Sequence, residues 1–201
     1  MKKTFLSLLV VLIVVSATEV YALPIAIVDQ QNLGHGTDFF TNYTDLDDGV
    51  TQGFTPTLSG IDALELDMRT TGTSTEIRVD LFMGDGDGGT FLGSSETLTI
   101  TNRTFATTHF DFASTIGLTA GSLYSFRLTH LGGDAAGYMQ VTGNDYTGGI
   151  PRDPDGKAFP NFDLVFTEGL HAAPVPEPAT IILLGSGLVG LVGFRSKLKK
   201  S

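Results

Sequence analysis

The sequence predicts an all-β domain built of antiparallel strands, a sandwich or a barrel, with a helical segment at each end of the chain. Three observations carry this reading. Between residues 23 and 175 apolar side chains recur at every second position, glycine clusters punctuate those runs, and no stretch keeps helical spacing over three turns. Threonine, valine and phenylalanine, which suit a pleated half-buried surface, are abundant throughout.

The first element is "MKKTFLSLLVVLIVVSATEVYA", with Lys2 and Lys3 ahead of an apolar run from Phe5 to Val15. This order is that of a secretory signal peptide. Val20 and Ala22 occupy the positions that signal peptidase reads, so cleavage is expected between Ala22 and Leu23. The run of eleven residues is too short for a bilayer core, which needs about 20.

The exported portion, residues 23–175, holds six Lys or Arg against 20 Asp or Glu, a formal charge of −14. Nucleic acid is thereby excluded as a partner, because that affinity rests on basic groups displacing counterions from phosphate. Divalent cations and neutral sugars suit such a surface better. The chain has no cysteine, which removes thiol nucleophiles, thiolate metal sites and disulfides. About 150 residues bury enough apolar surface to fold without staples.

The strands follow in order. Leu64, Leu66 and Met68 share one face, as do Ile77, Val79 and Leu81; Phe110 and Phe112; Tyr124, Phe126 and Leu128; and Phe162, Leu164 and Phe166. The stretches "GDGDGG", "LGGDAAG" and "YTGGIPRDPDG" separate them. "QGFTPTLSGIDALELDM", with "HFDFASTIGLTAGSLYSFRL" further on, resembles the jelly-roll sandwiches of exported bacterial proteins. In these, a phenylalanine strand, an "LTAG" turn and an aromatic strand follow one another. Here Phe110 and Phe112, Leu118 to Gly121, and Tyr124 and Phe126 fit that order. The resemblance covers residues 50–168 and implies an antiparallel jelly-roll-like β-sandwich, without implying an activity.

Several loops offer chemistry. Gly84, Gly86 and Gly89 reproduce the G-x-G-x-x-G spacing, but strand-like "TFLGSSETLTI" follows where a nucleotide site needs a helix, and Asp85 and Asp87 repel phosphate. A hairpin loop is the expectation. Asp85, Asp87 and Glu96 stand at positions 1, 3 and 12 of an EF-hand count, yet Gly89 and Thr90 occupy positions 5 and 6, so that motif fails. A looser calcium site at Asp85 and Asp87 stays open beside solvated turn residues, and Asp45, Asp47 and Asp48 are a comparable set. Asn144, Asp145, Tyr146, Arg152 and Phe159 gather in one loop-rich region suited to a sugar. The rival there is a structural connection whose rings plug the sandwich edge, and the absence of Trp favours it.

Signatures of catalysis are missing from the sequence. His35, His109, His130 and His171 are scattered, no H-E-x-x-H or G-x-S-x-G occurs, and no pair among the acids is marked for glycoside hydrolysis. His109 and His130 are assigned to the solvent face of strands. The reading is a non-enzyme.

The tail closes the chain with "VPEPATIILLGSGLVGLVGFRSKLKK". Pro176, Glu177 and Pro178 precede an apolar segment over 179–194, and Arg195, Lys197, Lys199 and Lys200 follow it. Sixteen residues give about 24 Å of helix, and snorkelling lysines extend it toward a ~30 Å core. The basic end stays cytoplasmic by the positive-inside rule, which leaves the prolines and the domain outside. This order resembles the PEP-CTERM sorting signal. The resemblance implies processing by an exosortase, a membrane-embedded enzyme of Gram-negative bacteria that make exopolysaccharide. A permanent single-pass anchor is the alternative.

The expected organisation is a signal peptide over 1–22, a β-sandwich over 23–170 and a linker with the PEP motif over 171–178. A transmembrane helix over 179–194 and a basic cytoplasmic tail over 195–201 complete it. The expected role is a non-catalytic protein of the envelope or extracellular matrix, associated with exopolysaccharide. Its partners are signal peptidase, exosortase and the inner membrane, with calcium as the one cofactor left open. A secreted carbohydrate-active enzyme and a calcium-dependent adhesive or carbohydrate-binding module are the alternatives.

Overall fold

Alternating burial lays down two antiparallel sheets in the computed structural model, which describes residues 24–33, 39–42, 49–133, 137–143, 146–153 and 155–171. The first sheet contains β1 (Ile25–Asn32), β2 (Phe39–Asn42), β4 (Gly60–Thr70), β8 (Ala106–Gly117), β10 (Gly137–Gly143), β12 (Phe162–Leu164) and β13 (Phe166–His171). The second contains β3 (Thr51–Phe54), β5 (Thr75–Met83), β6 (Thr90–Ser94), β7 (Leu98–Ile100), β9 (Tyr124–Gly133) and β11 (Pro151–Arg152). Their orders are β1-β13-β4-β10-β12, with β8 also on β4 and β2 on β10, and β11-β3-β9-β5-β6, with β7 also on β5.

The inward faces are those the alternation assigns. Leu64, Leu66 and Met68 of β4, Ile77, Val79 and Leu81 of β5, Phe110 and Phe112 of β8, and Tyr124, Phe126 and Leu128 of β9 are buried in one core cluster. That cluster joins the two sheets, with the Phe126 and Phe166 rings 5.3 Å apart and edge to face. The chain crosses from one sheet to the other at β2–β3, β3–β4, β4–β5, β7–β8, β8–β9, β9–β10, β10–β11 and β11–β12. The "LTAG" turn is therefore an arch between sheets. Phe162, Leu164 and Phe166 do not form one strand: the ladder breaks at Val165, Leu164 pairing with Val141 and Phe166 with Leu66.

The "GDGDGG" loop is the hairpin between β5 and β6, with a single 3-10 turn at Gly86–Gly88. Among the described residues no helix is long and apolar enough to cross a membrane. The signal segment, Leu23, Asp45, Asp47, Asp48, Asn144, Asp145 and everything from residue 172 onward lie outside the described residues. Among the described residues the last strand ends at His171, the first position of the expected linker.

One irregularity positions the outer face of the first sheet. Between Ile61 and Ala63 of β4 the pairing with β8 jumps from Ile116 to Asp111. Such a bulge re-phases side-chain alternation. Ile61 and Leu64 both reach the core, while Asp62 and Glu65, three positions apart, stay partly exposed.

Candidate functional site

Three strands bring their outward side chains together beside that bulge. His109 and Asp111 lie two apart on β8, on the face opposite Phe110 and Phe112. Glu65 of β4 is the direct cross-strand partner of His109, and His171 ends β13 on the far side of β4. His109 Nε2 lies 2.8 Å from Asp111 Oδ1 and 3.0 Å from His171 Nε2. His171 Nε2 lies 3.0 Å from Asp111 Oδ1, which closes a triangle.

Each ring is held from behind by a carboxylate. His109 Nδ1 is 3.0 Å from Glu65 Oε1, and His171 Nδ1 is 3.1 Å from Asp62 Oδ1, which also accepts the His171 backbone N–H at 2.8 Å. A carboxylate only accepts, so both Nδ1 atoms donate, and in neutral rings both Nε2 atoms present lone pairs. The two Nε2 lone pairs then face each other and Asp111 Oδ1, itself shielded from solvent and without a hydrogen bond of good geometry. Such a triangle calls for positive charge at its centre. Backbone pairing fixes Asp111 on both sides, to Ala63 across the ladder and by accepting the Glu96 N–H at 3.0 Å.

The sequence placed His109 on a strand's solvent face but left it unconnected. Its local clue was H-x-D at 109–111, since two apart on a strand means one face. Nothing local points to His171, 62 positions on.

Of the residues the sequence singled out, Asp85 and Arg152 are brought together. Arg152 Nη2 donates to Asp85 Oδ2, and Nη1 donates to the Gly156 carbonyl at 3.0 Å. They line an open cleft of about 440 Å³ with Gly86, Gly88, Asp153 and Asp155. The guanidinium thus neutralises the carboxylate that a cation at Asp85 needs. Tyr146 is turned away from that cleft. Its ring packs edge-on against Phe166 at 5.1 Å, its hydroxyl donates to Gln30 Oε1 at 3.3 Å, and burial raises its pKa to about 12. Phe159 stacks on Phe162 with centroids 5.0 Å apart.

Three acids are buried: Asp80, Glu168 and Asp163, which accepts from Gln52 Nε2 and from the Tyr146 backbone N–H. Asp80 is 1% exposed. Burial pushes its pKa up, but hydrogen bonds from Ser94, Thr129 and Arg78 outweigh that and hold it below the usual range. Glu168 follows Phe166 on the inward face of β13 and is fully buried. Neither of its oxygens has a hydrogen bond of good geometry. Burial first and the Asp29 charge second push its pKa to about 8, and the Gln30 backbone N–H offsets only part.

A search of curated proteins finds no match to the chain. Residues 174–197 match the PEP-CTERM protein-sorting motif, so the chain carries the address of an exported protein, held at a membrane before an exosortase processes it.

Proposed function

We propose that this chain is a non-catalytic protein of the cell envelope or extracellular matrix, associated with exopolysaccharide. The match of the sorting motif at 174–197 supports the reading most directly. The expected signal peptide, cleaved after Ala22, agrees with it. So does the domain, whose repeated crossings between two antiparallel sheets suit a jelly-roll-like sandwich. In this reading the segment 179–194 spans the inner membrane, the domain stands on the periplasmic side, and Arg195, Lys197, Lys199 and Lys200 hold the tail in the cytoplasm.

Glu177 separates an address from an anchor. It is the one charge between two rigid prolines, and an enzyme reading the motif needs it where a passive anchor does not. In a host with an exosortase, the wild type is expected to lose the segment from about Ala179 onward, and Glu177→Ala to accumulate as membrane-bound precursor. Equal intact masses, both retaining residues 179–201, would refute the reading.

A second reading is favoured by the cleft that joins Asp85 to Arg152. A charged pair flanked by Asp153 and Asp155 presents donors and acceptors to sugar hydroxyls, and calcium at Asp85 and Asp87 has to displace Arg152 from the Asp85 carboxylate. A glycan array with and without calcium tests both. Glycan signal lost in Arg152→Ala supports this reading, and no signal under either condition rejects it.

A further inference from the structure

We propose that His109, Asp111 and His171 bind one divalent first-row transition-metal ion, with Glu65 and Asp62 as the outer partners that orient the two imidazoles. The donor types choose the class of ion. Imidazole nitrogen with one carboxylate oxygen suits zinc and its neighbours, whereas calcium and magnesium take oxygen ligands. An ion about 2.1 Å from all three atoms sits ~1.2 Å above their plane and subtends angles near 90°, three adjacent positions of an open coordination sphere. A tetrahedral ion needs the triangle to expand by about 0.5 Å.

The surroundings agree with the donors. In metal sites the second ring nitrogen of a ligating histidine donates to a carboxylate, which fixes the tautomer and raises the basicity of the ligand. Both histidines have that partner, on β4, which lies between the strands that carry them. The carboxylates of Asp62, Glu65 and Asp111 around two neutral rings leave an excess of negative charge that a divalent cation offsets. His109 is 14% exposed, His171 18% and Asp111 33%, so the site opens to solvent on one side. Because β8, β4 and β13 each supply a group, a bound ion staples three strands at the end of the last one.

The test uses the exported protein, stripped with chelator and given zinc sulfate near neutral pH. One zinc per chain retained through gel filtration, with a raised melting temperature, is the expected result. X-ray absorption of the wild type should show two imidazole ligands. A His109→Gln/His171→Gln variant should lose the bound zinc, and Glu65→Gln should weaken affinity about 10–100-fold. Less than stoichiometric zinc in the wild type means that an imidazolium proton fills the triangle and overturns the proposal. Zinc bound without imidazole, or bound equally by the double variant, overturns it too. The absorption spectrum needs no variant to fold.

Discussion

Glu168 gives stability a pH dependence opposite to that of most carboxylates. Its pKa rises from an ordinary 4.5 to about 8 in the folded chain, so the folded state keeps a proton that the unfolded state releases. A group raised in this way stabilises fully below its unfolded pKa and loses that contribution as pH rises toward the folded value. The loss is about 1.4 kcal/mol per pH unit, which makes about 4 kcal/mol between pH 5 and pH 8. That is a large share of the ~5–15 kcal/mol that holds a domain together. Asp29, Tyr146 and Gln30 face the carboxyl, and Asp29 acts on it by charge. Glu168→Gln keeps the shape and removes the proton. Urea unfolding from pH 5 to pH 8, with chelator present throughout, should show wild-type stability falling and the variant nearly level. An equal fall in both would refute the reasoning.

Phe126 is fully buried between Phe54, 6.2 Å away, and Phe166. Phe126→Ala should cost about 3–5 kcal/mol in the same urea assay, and a loss below ~1 kcal/mol would mean that the two sheets do not share this core. Gly49 has φ of 81°, and a Cβ there falls 1.7 Å from the Leu128 carbonyl oxygen. Gly49→Ala should therefore cost more than about 1 kcal/mol, while Gly88→Ala, whose added methyl meets open space, should stay within about 0.5 kcal/mol.

What the sequence discloses here is the face of each residue, and what it withholds is the partner. Ile77, Val79 and Leu81 announce a buried face because alternation is local, and all three are fully buried. Phe162, Leu164 and Phe166 announce a face equally well, yet the break at Val165 gives Leu164 and Phe166 different partner strands. Partner choice is settled by residues tens of positions away, as in every antiparallel sheet whose chain crosses between layers. The same division explains the candidate site. H-x-D on β8 is local, Glu65 reaches His109 across 44 positions, and His171 reaches it across 62. Alternation carried one step further would have exposed Glu168, since the series Phe162, Leu164, Phe166 continues to it at the next inward position. A carboxyl at an apolar position is ordinarily a sign that the strand has ended. Here the strand continues to His171, so the acid is carried into the core and its neighbour His171 onto the outer face. The residues that break the pattern of β13 are thus those with the most chemistry to test, one through a proton held inside and the other through a cation held outside.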